Sequence, residues 1–191
     1  MYVKEIIGAI AVVMAFVAYI PYYKDILKGK THPHIYSWSL WGFLTILILA
    51  LQIKGGAGPA AWMTAAVGLL CLGVVVLSFR QGKKDITTTD TVTAILSLTA
   101  IGFWLFANQP IVAIFLAVAA DMLAFFPTVR KSWNQPHTET LSLYATNAVR
   151  FLLVLLAIEQ YTILTVLWPV AWAIGNGLFA IMLIVRRKYK S

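Results

Sequence analysis

Seven long apolar segments, separated by short and mostly charged connections, constrain what this chain can fold into. An α-helix needs about 20 predominantly apolar residues to cross the hydrocarbon core of a bilayer. Irregular backbone cannot face lipid, because its polar groups would find no hydrogen bonds there. The pattern predicts an all-α integral membrane protein whose transmembrane helices are Val3–Tyr22, Ile35–Ile53, Pro59–Phe79, Thr91–Ala107, Pro110–Pro127, Thr140–Ile158 and Thr162–Val185.

The composition excludes two other classes of protein. Charged residues make up 12% of the chain, against roughly 25% in soluble domains. The net charge of +8 is typical of nucleic-acid binding, but the basic residues lie in short connections, where they act as topology signals.

The segment Ile6–Ile20 has the length of a signal-peptide core. It has no small-residue cleavage site and runs into Pro21, so we expect a retained helix.

The distribution of Lys and Arg predicts the orientation. Alternate connections and the C-terminal tail carry twelve basic residues on one side of the membrane, against two on the other. Because basic loops stay cytoplasmic, we expect a cytoplasmic C-terminus and an N-terminus outside. The basic side holds Lys24, Lys28, Lys30, Arg80, Lys83, Lys84, Arg130, Lys131, Arg186, Arg187, Lys188 and Lys190, and the other side holds Lys4 and Lys54.

Three proline-containing patterns each occur twice, in the same order along the chain, which indicates an internal repeat. The pattern P-H-x-x-[ST]-x-S-L-aromatic fits both 33–41 and 136–144. Later, Pro59-Ala60-Ala61-Trp62 matches Pro169-Val170-Ala171-Trp172. Pro21 and Pro127 form a third pair, and each is predicted to end its helix. The three pairs predict two triple-helix repeats, at 1–86 and 109–191.

The segment between the repeats, 87–108, has no counterpart. Two three-helix units placed end to end would point in opposite directions across the membrane. One linker helix between them restores the same direction, so we expect parallel repeats related by an axis along the membrane normal.

This arrangement resembles the SWEET and PQ-loop (MtN3-like) transporter superfamily. Pro21 and Pro127, each followed by a basic connection and a Ser-containing helix, are similar to the repeat motif of that group. The resemblance implies seven helices in a 3+1+3 order, alternating access to a central site, and hinges or gates at Pro21, Pro33, Pro127 and Pro136. It also implies a pocket asparagine on the third helix of each repeat, which Asn176 would supply.

The chain departs from the superfamily pattern at three positions. Tyr22 and Thr128 follow the motif prolines where the family has glutamine, and Ala66 aligns with Asn176. These departures argue against a neutral sugar as substrate. The same general architecture occurs in vitamin-precursor transporters and in receptors that retrieve luminal endoplasmic reticulum proteins.

Four polar residues are predicted to lie deep in the bilayer, where polar groups are costly and mark functional sites. They are Asp121, Asn147, Arg150 and Asn176. At 1.5 Å per residue, all four fall about 10 to 17 Å from the cytoplasmic helix ends. The aligned residues of the first repeat are apolar, which predicts an asymmetric substrate-binding site near the midplane.

Two interpretations of the charges stay open. Asp121 and Arg150 could form a structural ion pair that fixes how two helices pack. They could also face a water-filled cavity, where Arg150 binds an anionic or zwitterionic solute and Asp121 exchanges a proton, coupling transport to protons. Asn176, between two glycines, has helix packing as its alternative role.

The aromatic residues and histidines give further candidates. Trp38 and Trp41 are predicted to stack on substrate, and Trp133 and Trp168 to anchor the protein at the membrane interface. Trp62 and Trp172 either cap the pocket or join the interfacial belt. His34 and His137 form a repeated pair, whose alternatives are a pH-sensitive gate and an exposed helix start.

The leading functional prediction is a transporter of a small polar solute, such as a sugar, an amino acid or a small carboxylate. The alternative is a seven-helix receptor that binds a ligand without transporting it. No nucleophile with its base and no metal-ligand spacing is found, so we expect neither an enzyme nor a cofactor or metal. Both repeats lie in one chain, which is compatible with a monomer or a homo-oligomer.

Overall fold

A computed structural model describes residues 2–33, 35–81, 87–106 and 109–189. These residues form seven α-helices and one short 3₁₀ helix. The bounds are α1 Tyr2–Leu27, α2 Ile35–Lys54, α3 Ala60–Gln81, α4 Thr88–Leu105, α5 Pro110–Asn134, the 3₁₀ helix Pro136–Thr138, α6 Leu141–Ala157 and α7 Ile163–Tyr189. No strand occurs within the described ranges. The all-helical prediction is therefore confirmed. His34, Lys83, Lys84, Lys190 and the predicted end of the fourth helix, Ala107, lie outside the described residues.

Five of the seven helices, α1, α2, α3, α5 and α7, are long and apolar enough to cross a membrane. α6 is shorter, with 17 residues, or about 26 Å at 1.5 Å per residue. This is close to the thickness of the hydrocarbon core. In α4, the apolar part is the segment Ala94–Phe103.

The prediction that proline ends the first and fifth helices is wrong. α1 continues past Pro21 to Leu27, and α5 continues past Pro127 to Asn134. Proline removes one i→i−4 hydrogen bond, but the flanking helix keeps its own bonds. In an apolar surrounding, continuing the helix is the cheapest way to satisfy the remaining backbone groups. Each proline therefore lies inside a helix, several residues before its end.

The small residues of α1 show how the helices pack. Ala11, Ala15 and Ala18 are buried on one face, while Phe16 and Val17 point outward and are about half exposed. Large apolar residues thus cover the outside, and small residues let helix backbones approach inside. This inversion of the soluble pattern is typical of helices packed in lipid.

The helices pack in a consistent order around the centre. α3 packs against α1 and α2, and α7 packs against α5 and α6. α1 also contacts α6, and α5 contacts α2, which joins the two halves of the chain. α4 packs mainly against α5, on one side of this group. The centre of the molecule is bounded by α1, α2, α3, α5, α6 and α7.

Candidate functional site

A small cavity lies at the centre, and the four predicted midplane residues all line it. Asp121 comes from α5, Asn147 and Arg150 from α6, and Asn176 from α7. The cavity has a volume of about 40 Å³, which is room for about three water molecules at 10–15 Å³ each. Ligand pockets usually measure about 300–1,000 Å³. The structure is thus a closed state around a polar centre.

The carboxyl group of Asp121 is held by two indoles of α7. The Nε1 atoms of Trp168 and Trp172 donate to Asp121 Oδ2 at 2.7 and 2.6 Å. The Nε1 of Trp41, on α2, donates to the backbone carbonyl of Asp121 at 3.1 Å. Because Asp121 is 1% exposed, these donors replace the hydrogen bonds it would make with water. They also fix α5 against α2 and α7 at the cavity.

Arg150 is buried without a carboxylate beside it. Its side chain is 1% exposed, and neither Nε nor Nη1 has a hydrogen-bond partner. The nearest aromatic contact is the adjacent Phe151, whose ring centroid lies 5.1 Å from the guanidinium carbon. Asp121 and Arg150 are both described by the structure, and they do not form an ion pair with each other. The structural ion pair considered from the sequence is therefore not observed.

Two amide groups complete the polar lining. Asn176 donates from Nδ2 to the carbonyl of Trp172 at 2.7 Å, one turn earlier in α7. This bond fixes the amide orientation, since a carbonyl oxygen in that place would face another oxygen. Asn176 Oδ1 is left without a partner, and so is Asn147 Oδ1. An unsatisfied buried acceptor costs about 1–3 kcal/mol, so a bound group that donates hydrogen bonds would stabilise the site.

Aromatic rings form the rest of the wall. Trp38 and Trp41 of α2 lie with ring centroids 5.0 Å apart, and Trp41 is 5.6 Å from Trp172 of α7. Phe151 meets Trp172 as well, with nearly parallel rings. The two tryptophans predicted to stack on substrate are both buried at the cavity, and Trp41 touches the opposite half of the molecule at Trp172.

Some site residues were not found from the sequence. Trp168 was predicted to anchor at the interface, and this is wrong, because it is 1% exposed and bonded to Asp121. Tyr19 and Tyr144 also line the cavity. Tyr144 is the aromatic end of the repeated motif, which was a usable signal. Trp133 is about half exposed, and Arg186 lies over its ring at 4.5 Å.

A polar network closes the end of the molecule that carries the basic connections. Lys131 forms an ion pair with Glu139 and donates to the carbonyl of His32 at 3.1 Å. Tyr144 donates to the second oxygen of Glu139 at 3.0 Å. Beside them, Thr140 donates to Asp25 at 2.7 Å. We call these contacts the basic-end network. It ties the α1–α2 connection to the α5–α6 connection.

Backbone contacts close the other end. The N–H of Gln160 donates to the carbonyl of Gly56, and that of Glu159 to the carbonyl of Ala57, both at 3.2 Å. Lys4 of α1 donates to the carbonyl of Ile158 at 2.7 Å. These bonds join the first half of the chain to the α6–α7 connection, so contacts between the two halves lie at both ends of the helices.

The four predicted hinge prolines lie at different kinds of position. Pro21 and Pro127 are inside α1 and α5. Pro33 is buried in the connection before α2, and Pro136 is buried at the start of the 3₁₀ helix. His137 beside it is exposed, while His34 lies outside the described residues. Pro33 and Pro136 therefore flank the basic-end network, and Pro21 and Pro127 lie between it and the cavity.

Within the described ranges, no group of three His, Cys, Asp or Glu side chains is arranged to hold a metal ion. Among the polar groups that line the cavity, the carboxyl group of Asp121 and the hydroxyls of Tyr19, Thr45 and Tyr144 have hydrogen-bond partners. Atoms of Arg150, Asn147 and Asn176 are left without partners. In comparisons with models of protein families, with curated proteins and with solved structures, no match to the chain was found.

Proposed function

We propose that the protein is a membrane carrier that moves a small polar solute by alternating access to the central cavity. The observation that carries this proposal is the set of buried polar atoms without partners at Arg150, Asn147 and Asn176. A fold gains nothing from leaving such atoms unsatisfied in its core. A solute bound in the cavity would satisfy them, and the contacts at the two ends would control its access.

The helix contacts support two parallel triple-helix repeats, α1–α3 and α5–α7. The contact of α1 with α3 corresponds to that of α5 with α7, and the contact of α2 with α3 to that of α6 with α7. Between the repeats, α1 meets α6 as α5 meets α2. This correspondence is what a two-fold axis along the membrane normal would produce. α4 then serves as the linker outside the pseudo-symmetric core.

The two closures support alternation between open states. The basic-end network is made of side-chain bonds, and the opposite end is held by backbone bonds and Lys4. Breaking one set while keeping the other would expose the cavity to one side only. α1 and α5 each lack one helix hydrogen bond at their internal proline, so both helices can bend there as the repeats rock.

The resemblance to the SWEET and PQ-loop group agrees with this mechanism. In that arrangement, Asp121, Asn147, Arg150 and Asn176 bind the solute in the second repeat, while Trp38 and Trp41 cover it from the first. The chain acts without a cofactor. The basic connections would face the cytoplasm, placing the N-terminus outside.

Transport by purified protein in liposomes tests the proposal. Vesicles are loaded in turn with sugars, amino acids or small carboxylates, and exchange of the labelled solute is followed with and without a pH gradient. We expect one class to exchange faster through the wild type than through empty vesicles. Acceleration by the pH gradient would assign proton coupling. If no class is transported but one class binds, the chain is a receptor of the same architecture and the carrier proposal is wrong.

A further inference from the structure

The unpartnered atoms of the cavity require two opposite kinds of hydrogen-bonding group from a ligand. Nε and Nη1 of Arg150 are donors that need an acceptor, and the positive charge needs an anion. Oδ1 of Asn147 and Oδ1 of Asn176 are acceptors that need donors. All three side chains are more than nine-tenths buried and line the same cavity. One molecule must therefore offer both kinds of group.

We propose that the substrate class is a small carboxylate with an N–H or O–H donor next to the carboxyl group, that is, an amino acid or a hydroxy acid. The carboxylate binds the guanidinium of Arg150, and the neighbouring ammonium or hydroxyl donates to Asn147 and Asn176. This inference rests on the proposed carrier function, because it assigns the solute of that same site.

Other small solutes leave part of the site unsatisfied. A neutral sugar supplies hydroxyl donors but no charge for Arg150, and burying an unpaired charge is costly. A simple amine adds a second positive charge beside the first. A carboxylate without a donor pairs with Arg150 but leaves both amide oxygens without partners. Only a molecule with both groups satisfies every unpartnered polar atom that the structure describes at the cavity.

The size of the cavity favours the smallest members of this class. A cavity volume of about 40 Å³ holds about three water molecules. In liquid water, three molecules occupy about 90 Å³. Glycine, alanine and lactate are the molecules closest to that size. Trp38, Trp41 and Trp172 supply an apolar wall for a methyl group. A long side chain would require these rings to move apart.

The fixed charges of the cavity distinguish an amino acid from a hydroxy acid as the solute. Asp121 and Arg150 carry opposite formal charges and both line the cavity without pairing. Their sum is zero, so a zwitterionic amino acid leaves the closed state neutral. A hydroxy acid adds one negative charge. Transport of an amino acid should then be independent of membrane potential, whereas transport of a hydroxy acid alone should carry current.

The experiment measures thermal stabilisation of the protein in detergent by five molecules, of which the first four are matched in size. They are alanine, lactate, propionate, alaninamide and glucose. A ligand that binds only the folded state raises the melting temperature by mass action. We expect alanine or lactate to raise it by several degrees at saturation, propionate to raise it less, and alaninamide and glucose to leave it unchanged.

Two methionine variants separate binding from folding. Arg150→Met replaces an unpaired buried charge by an apolar chain of similar length, so its melting temperature without ligand should equal or exceed that of the wild type. Its ligand-dependent rise should disappear. Val149→Met, on the exposed face next to it, should keep the full rise. If Arg150→Met keeps the rise, the assignment of the carboxylate is overturned.

The remaining outcomes separate this inference from the carrier function. Equal stabilisation by propionate, alanine and lactate would overturn the role of the amide oxygens. Stabilisation by glucose alone would overturn the substrate class, while transport of glucose would leave the carrier function intact. Stabilisation by alanine or lactate without exchange in liposomes would support the ligand class and overturn the carrier. Net uptake of alanine that is independent of membrane potential, with no uptake of lactate, would assign the amino acid rather than the hydroxy acid.

Discussion

At the scale of single residues, the centre of the molecule uses indole N–H groups to hold a buried carboxyl group. Trp168 and Trp172 both donate to the same oxygen of Asp121. Hydrogen bonds to charged groups contribute about 1.5–3 kcal/mol each to stability. Asp121 lies on α5 and both tryptophans lie on α7, so these two bonds help to set how α5 and α7 pack.

The repeated tryptophans allow a matched test of this bond. Trp172→Phe removes one donor to Asp121 and leaves a gap, so the free energy of unfolding should fall by about 2–4 kcal/mol. Trp62, its counterpart in the first half, is about half exposed and lies outside the cavity. Trp62→Phe should change the free energy by less than about 0.5 kcal/mol. Chemical unfolding in detergent measures both. Equal losses would contradict the assigned role of the indole bond.

The common level of the polar residues along their helices could be worked out from the sequence, but their partners could not. Counting residues from the helix ends predicted that Asp121, Asn147, Arg150 and Asn176 lie in one layer, and the structure brings them to one cavity. The direction of each side chain depends on how its helix is rotated. Rotation is set by packing, so the sequence could not distinguish an ion pair with Arg150 from the indole bonds of Asp121.

At the scale of helices, α1 is continuous through a proline. The carbonyl of Val17, one turn before Pro21, lacks the donor that any other residue would supply. A missing bond at this point weakens α1 between its cavity face and its basic end. The prediction of a hinge and the observation of an unbroken helix are compatible, because a helix can bend where one bond is missing.

Pro21→Ala tests the hinge. The variant gains an N–H for Val17, which should stiffen α1 and slow solute exchange without weakening solute binding. If the stiffer helix raises the activation free energy of exchange by about 1.4 kcal/mol, exchange should be about tenfold slower. Pro110 begins α5, where proline is tolerated, so Pro110→Ala should leave the rate unchanged. Exchange in liposomes and binding in detergent give the two quantities. An unchanged rate in Pro21→Ala would exclude this hinge.

Tyr144 links the basic-end network to the cavity. Tyr144 lines the cavity and donates to Glu139, which pairs with Lys131. Movement of Tyr144 by a bound solute would therefore change the bonds that close this end. The single cysteine, Cys71, lines the cavity and is buried, so it can report opening.

Glu139→Gln should open the basic end more often. Loss of the ion pair should raise the population of the open state, about tenfold for each 1.4 kcal/mol lost. A small thiol reagent should then modify Cys71 correspondingly faster. Glu159→Gln is the control at the opposite end, where the observed bond to Ala57 uses the backbone of residue 159. An equal rate of modification in both variants would show that Glu139 does not hold the closed state.

At the scale of the whole molecule, the proposed orientation depends on charge and on the number of spanning helices. An odd number of spanning helices places the two termini on opposite sides of the membrane. The C-terminal end of α7 carries Arg186, Arg187 and Lys188, and Lys131 lies at the same end. From the positive-inside rule we propose that this end faces the cytoplasm.

Fusions at the termini test the orientation. Green fluorescent protein attached to the C-terminus should fluoresce in cells, because it folds in the cytoplasm. An N-terminal epitope should be accessible to protease added outside intact cells or spheroplasts. The same fusion to a variant with Arg186, Arg187 and Lys188 all changed to Gln is expected to keep the orientation, since most of the basic residues remain. Fluorescence from an N-terminal fusion instead would reverse the assignment.

The sequence by itself determined the helical class, the positions of the apolar segments and the common level of the four polar residues along their helices. Each of these depends on local chain properties, namely segment length, apolar content and a rise of 1.5 Å per residue. Only the tertiary structure decided that α1 and α5 continue past their prolines, that Trp168 is buried on Asp121, and that Arg150 stays unpaired. These outcomes depend on helix rotation and packing, which combine contacts from distant parts of the chain.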